Sequence, residues 1–277
     1  MFDRYILARN FNRISTRFGM AKLADSSTYN PSYNISAGNT SHVIINYQTK
    51  VIEQAEFGLK GVSPKMPESL PFVRAEGKRN LSNDPYYTGS KAIFLQPEFN
   101  NLIRKQRCLV IADAFIIGFE SNNPHLVYLR GKQRPFAFAG IWNKTIDEAT
   151  GEDVYSFAII TTTANSLVAE LGVKRMPVIL FNEFENRWLR PSTELSEILN
   201  MLNPYPTNLM NAYPIATTIR EVEKNDISLI QPVGKPVLQE FKGGWIRKRE
   251  KVKEESHKPT LAEGAWIKPE HPTKTHL

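Results

Sequence analysis

Cysteine is nearly absent: Cys108 is the one thiol in 277 residues. An internal disulfide is thereby excluded, and a reducing, cytoplasmic location is the expectation. Thiolate metal sites are excluded as well. The five histidines, His42, His125, His257, His271 and His276, are scattered. None falls into ligand spacing with a second His or Cys, so neither a metal nor a cofactor is expected. Long apolar runs are also missing. None approaches the roughly 18 residues of a membrane-spanning helix, so no membrane association is expected. The opening MFDRYILARNFNR carries charge throughout and lacks an apolar stretch, which does not read as a signal peptide. No internal repeat is found.

What is present is enough apolar material for one large core, with 41% hydrophobic and 10% aromatic residues. The net charge is +7, and its distribution is uneven. From Gly234 to Leu277 there are ten Lys/Arg against six Glu, so the tail holds +4 of that total. The body, residues 1–233, is only mildly basic. Such a balance permits a polyanionic partner without requiring one.

Along the chain, Asn10 is placed to cap a short helix with Phe11, Ile14 and Phe18 on one side. The polar segment Ala24–Asn39 reads as loop, and strand-like runs follow at His42–Asn46 and Val51–Phe57. Lys60–Leu70 and Gly77–Ser90 read as loops, the second with Asp84-Pro85 as a turn signal. Pro97 opens a short helix to Arg104. Cys108–Phe119 is a long apolar run that fits one buried strand. Leu126–Arg130, Phe136–Trp142 and Tyr155–Thr163 continue the series, with 143–154 as a polar connection. Ala164–Leu171 and Glu194–Leu202 read as helices. Strand follows strand with few long helices between. That pattern predicts an α+β fold on a curved or barrel-like, mostly antiparallel sheet with short peripheral helices. From Phe241 the composition turns charged (KGGWIRKREKVKEESHKP). A domain of residues 1–233 with a peripheral or partly disordered basic extension, 234–277, is expected.

Five islands of this sequence resemble, in order, the pattern of the SRAP family, whose members trap abasic sites in single-stranded DNA. They are MFDRYIL at Met1, YNISAG at Tyr33, FGL to VRAE over Phe57–Glu76, RCLVIADAF at Arg107, and Phe136–Leu180 with its Arg175-Met176-Pro177 turn. A weaker match runs from NAYPIATTI at Asn211 to LIQPV. The resemblance implies the family's fold, and a mechanism with four reactive groups. A cysteine at position 2 closes a thiazolidine with the abasic aldehyde. An asparagine in an N-A-R-x-E motif holds the site. A glutamate after A-D-G-F and a histidine ahead of R-M-P move protons.

At those positions this chain has Phe2, Phe72, Ile117 and Val173 (Gly172 if a one-residue gap intervenes). Glu120 lies three residues beyond Ile117, where strand alternation would turn it to the other face. A bulky Phe2 also implies that Met1 is kept, which places the α-amine one residue away. Four apolar replacements predict a site filled with hydrophobic side chains, each worth about 1.5–3 kcal/mol when buried. The expected function is therefore a degenerate, non-catalytic relative that binds single-stranded or damaged DNA weakly and without a covalent bond. Two other readings stand beside it. One is an active cross-linking enzyme that uses another nucleophile, such as the Met1 amine. The other is a scaffold with a closed cleft and no role in DNA.

Arg4, Arg74 and Arg175 match family positions that face phosphates, and Lys60 stands in a neighbouring loop. The alternative for the arginines is structural ion pairing with Glu76 and Asp113, with Glu76 matched to Arg74. The loop after Gly58 lacks the family's tryptophans. Tyr86 and Tyr87 are the candidate replacements for a stacking platform. Thr161–Thr163 read as local backbone partners, Trp142 and Cys108 as core, and Arg247–Lys253 as a solvated basic segment.

Overall fold

A computed structural model of the chain describes residues 2–240, apart from 20, 25–27, 46–49 and 132–133. Its strands are β1 (Arg4–Leu7), β2 (Lys22–Leu23), β3 (Ser32–Ser36), β4 (Thr40–Ile44), β5 (Val51–Phe57), β6 (Phe72–Arg74) and β7 (Arg107–Ala112). They continue as β8 (Ala114–Ile117), β9 (His125–Leu129), β10 (Phe136–Ile146), β11 (Asp153–Thr163), β12 (Arg175–Pro177), β13 (Ile179–Leu180) and β14 (Met210–Pro214). The helices are α1 (Phe11–Arg17), α2 (Pro97–Lys105), α3 (Ser166–Glu170), α4 (Asn182–Leu189) and α5 (Leu195–Asn200).

The alternation of apolar and polar residues decides how these strands are used. One sheet runs β14-β9-β8-β1-β3 and is antiparallel throughout. The other runs β12-β11-β10-β7-β4-β5-β2, and β11 also pairs with β5, so β5, β4, β7, β10 and β11 close into a barrel. An odd ring of strands cannot be antiparallel at every seam. The closing pair, Ser156 with Glu56 and Phe157 with Phe57, is accordingly parallel. β6 adds a second parallel pairing to β11, which places Phe72 beside Ile159 and Arg74 beside Thr161. The fold is α+β and barrel-like, as the strand-rich sequence indicated. None of the described helices is long and apolar enough to cross a membrane.

Several local expectations hold. Asn10 caps α1 by accepting from the Arg13 N–H at 3.0 Å. β5 matches its expected bounds, and Cys108 is buried in the core.

Others need correction. The run 108–119 is two strands in two sheets. At Asp113 the backbone N–H leaves the barrel and donates to Ile6 O at 2.7 Å, while the carboxylate accepts from Ala8 N (2.7 Å) and Arg9 N (2.9 Å). Past that point Phe115 and Ile117 face the main core, and Ala114 and Ile116 face a smaller core with Ile6, Tyr128 and Tyr213. The polar segment 24–39 contains β3, which forms because β1 offers it an open edge. β10 and β11 extend through half of 143–154, to Ile146 and from Asp153, since the arms of a paired hairpin tolerate polar residues on the solvent side.

The expected extension starts with an ordered strap. Val237 N donates to Ala212 O (2.8 Å), and the Asn211 side chain exchanges bonds with Leu238 (2.8 and 2.9 Å). Residues 241–277, with Arg247–Lys253, Trp245 and Trp266, lie outside the described residues, as do Met1 and Asn46.

Candidate functional site

Two of the four family-matched positions, Phe2 and Phe72, meet at β6. Phe2, just ahead of β1, is fully buried. Its ring meets Phe72 at 4.8 Å between centroids, Phe115 at 5.7 Å and Phe138 at 6.0 Å. Phe72 in turn packs edge-on against Phe57 (5.4 Å), which stacks on Phe157 (5.3 Å) and touches Tyr5 (5.6 Å). Offset and edge-to-face pairs of this kind add about 0.5–1.5 kcal/mol each beyond the area they bury. Ile117 lies on the same face of β8 as Phe115 and belongs to the same core. Val173 joins that core from the turn between α3 and β12, where its N–H is bound to Val168 O at 3.2 Å. By register it sits beyond the Thr163–Arg175 pair of β11, whereas Phe72 stands at Ile159. Phe2 and Phe72 are thus in contact, Ile117 shares a strand face with Phe115, which touches Phe2, and Val173 lies apart from them, beyond the Thr163–Arg175 pair.

Two residues along β6 the surroundings are polar. Arg74 Nη1 donates to Asn80 O (2.9 Å) and Asn83 Oδ1 (2.6 Å). Arg175 is only 3% exposed and donates to Glu76 Oε2 (2.8 Å), Thr161 O (2.8 Å), Thr161 Oγ1 (3.1 Å) and Asn83 Oδ1 (3.4 Å). Glu76 is fully buried and also accepts from Thr162 Oγ1 (3.1 Å) and Lys91 Nζ (3.5 Å). Burial alone would push the Glu76 carboxyl up. Arg175 and Lys91, with the hydrogen bonds, outweigh it and hold the group below its ordinary value. Burial lowers Lys91 and Arg175, and Glu76 opposes both shifts. Glu76 therefore takes Arg175 rather than the expected Arg74, a partner 99 residues away that no local pattern announces. Three cations surround one carboxylate, so the cluster keeps a positive surplus.

Arg4 stands on the second sheet. It donates to Asn34 Oδ1 at 2.6 Å and lies over the Phe119 ring at 5.2 Å, with Arg220 over the same ring at 5.7 Å. Lys60 is paired with Glu56 at 2.7 Å. Glu56 lines a cavity of about 260 Å³ on the barrel seam together with Glu53 and Asp153. Carboxylates there disfavour a phosphate ligand. Tyr86 is 86% exposed, and Tyr87 donates to Ser90 O at 3.1 Å. Asp113, expected as an arginine partner, chiefly caps backbone N–H groups, with Arg9 at 3.9 Å. No group of three or more His, Cys, Asp or Glu among the described residues is placed to hold a metal.

The chain is similar to known proteins over most of its length. The chain is 27% identical over 237 residues to abasic site processing protein YoqW of Bacillus subtilis, which covers 83% of this chain and 99% of that one. It is 24% identical over 268 residues to abasic site processing protein HMCES of Xenopus tropicalis, covering 84% and 78%. The crystal structure of a Bacteroides thetaiotaomicron protein superposes with a TM-score of 0.67 at 26% identity, covering 84% of this chain and 99% of that one. A phage-related protein from Bordetella bronchiseptica, at 18% identity and a TM-score of 0.56, shares the fold over 77% of this chain and 93% of that one. The family profile for SOS response associated peptidase (SRAP) matches residues 1–222, and the chain belongs to that family.

Proposed function

We propose that this protein is a degenerate SRAP relative that binds single-stranded or abasic DNA without forming the family's covalent link. The observation that carries this reading is the Phe2 ring packed against Phe72 at 4.8 Å, where the resemblance puts a nucleophile beside an asparagine. A phenyl group supplies neither a thiolate nor a proton acceptor. Full burial against the rings of Phe72, Phe115 and Phe138 leaves no room for a sugar aldehyde to approach it. The nearest thiol, Cys108, is fully buried, and burial raises its pKa, so it is no substitute.

Binding then rests on charge. Arg74 and Arg4 are half-buried and present guanidinium edges suited to phosphate oxygens. Arg175 sits behind Arg74, held by Glu76, with its remaining guanidinium edge turned to Asn83 beside Arg74. Lys60, neutralised by Glu56, contributes least. With the tryptophans absent from the loop after Gly58, affinity is low and salt-sensitive. The cytoplasm is the compartment this reading requires.

The experiment is an electrophoretic pair: single-stranded DNA with one abasic site, run under native and denaturing conditions. A native shift that weakens with salt and vanishes in denaturant supports the reading. A band that survives denaturant refutes it in favour of an active enzyme. Absence of any shift at low salt favours the scaffold, a reading the Arg175–Glu76 and Lys60–Glu56 pairings already support.

A further inference from the structure

Asn83 is held in an unusual way. Its side-chain oxygen accepts from Arg74 Nη1 at 2.6 Å and from Arg175 Nη1 at 3.4 Å. One neutral oxygen thus sits on two guanidinium groups that have a single carboxylate, Glu76, between them. Its backbone is left-handed, with φ of 57°. Asparagine tolerates that conformation better than most residues, although it is still uncommon. The turn beneath it is built around Asn80, whose side chain bonds Asp84 N (2.8 Å) and Asp84 O (3.1 Å) and whose carbonyl accepts from Arg74. Above it the loop is solvent-facing: Leu81, Ser82 and the residues from Asp84 to Tyr86 are exposed. Two guanidiniums converging on one oxygen is the geometry used to grip a phosphate.

We propose that the Asn83 side-chain oxygen is the resident occupant of the seat between Arg74 and Arg175 that a DNA phosphate oxygen would take. The 77–90 loop and the DNA backbone then compete for one position. This inference rests on the reading that the protein binds DNA, and it adds the gate. A neutral amide is a weak occupant, since a phosphate gains the charge that Asn83 lacks. The exposed half of the loop is free to swing out while Asn80 keeps its base in place. Affinity measured on the native chain is therefore reduced by the fraction of time the seat is filled.

Three variants of the full chain test this: Asn83→Gly, Asn83→Asp and the charge control Ser82→Asp. Glycine and aspartate both accept the left-handed backbone, so folding is preserved. Binding of a single-stranded oligonucleotide is read by fluorescence anisotropy. Protection by inorganic phosphate is read as a shift in melting temperature. If the seat is open about one-tenth of the time, Asn83→Gly binds DNA about tenfold tighter and is protected more by phosphate than the native chain. Asn83→Asp binds about tenfold weaker or worse, and clearly weaker than Ser82→Asp, because a carboxylate makes charge-assisted bonds to both arginines. Equal DNA affinity and equal phosphate protection for Asn83→Gly and the native chain would overturn the gate. So would Asn83→Asp matching Ser82→Asp. Phosphate protection of Asn83→Gly with no DNA binding by any variant would keep the seat and overturn the DNA reading instead.

Discussion

Phe72 and Arg74 stand two residues apart on β6 and project to the same side of the strand. Their neighbourhoods are nevertheless opposite. Phe72 packs directly against the rings of Phe2 and Phe57. Around Arg74 there are guanidinium, ammonium, carboxylate and amide groups in one hydrogen-bonded set. On the proposed reading these are two halves of one site that have gone separate ways. Covalent chemistry needs a few specific atoms at one point, and apolar substitution would remove them without disturbing the fold. Anion recognition needs only a surplus of charge near the surface. Here that charge is tied into the structure through Glu76, which gives it a reason to persist.

The sharpest way to break this contrast is to empty the aromatic half. Phe2→Ala leaves a cavity bounded by Phe72, Phe115 and Phe138 and is expected to cost about 3–5 kcal/mol of stability, read from the denaturant midpoint. A shift of a few tenths would mean that the rings do not form one packed unit. Glu76→Gln attacks the other half. It leaves Arg175 and Lys91 buried without a counter-charge, and is expected to cost about 3 kcal/mol.

Two buried carboxylates sharpen the contrast through pH. Glu76 is held below its ordinary value of 4.5, so the unfolded chain binds more protons than the folded one at acid pH. Its contribution is full above that value and is lost as pH falls through the folded one. Asp113 behaves oppositely. Burial raises it from 3.8 to about 6, against its bonds to Ala8 and Arg9. The folded chain then holds the extra proton, and stability declines as pH rises from about 4 to 6. Asp113→Asn is expected to flatten that decline, and Glu76→Gln to remove the acid-side loss. Unfolding midpoints across pH 3–7 separate the two.

The smaller effects concern binding. Arg74→Ala is expected to weaken single-stranded DNA binding and to lower the salt slope by about one counterion, with little loss of stability. Lys60→Ala is expected to change stability by under about 1 kcal/mol and to leave DNA affinity unchanged, since its half-buried partner Glu56 already neutralises it. A Lys60 effect equal to that of Arg74 would move the interface to the barrel seam.

Much of the frame was legible in the sequence. The Asn10 cap, Pro97 opening α2, and β5 each carry a local signal that the structure honours. The missed features are those set by distant partners. Asp113 splits an unbroken apolar run because Ile6 O on β1 accepts its backbone N–H, and Ala8 N and Arg9 N just past that strand donate to its carboxylate. β3 lies in a segment rich in Ser, Asn and Pro, and it is a strand only because the edge of β1 is there. The helix α4 went unmarked, although Trp188 and Leu189 bury one side of it. At the site, the apolar residues at positions 2, 72, 117 and 173 were readable in the sequence. The contact between the Phe2 and Phe72 rings came from folding, as did the preference of Glu76 for Arg175. Asn83 gave no signal, being one polar residue in a polar loop.

The most direct measurement takes the purified full chain, incubates it with single-stranded DNA bearing one abasic site, denatures it and weighs the intact protein by mass spectrometry. The account expects the unmodified mass alone, under conditions where native gels show salt-sensitive binding. A species heavier by the oligonucleotide would contradict it, because it would show that a nucleophile still reaches the abasic aldehyde.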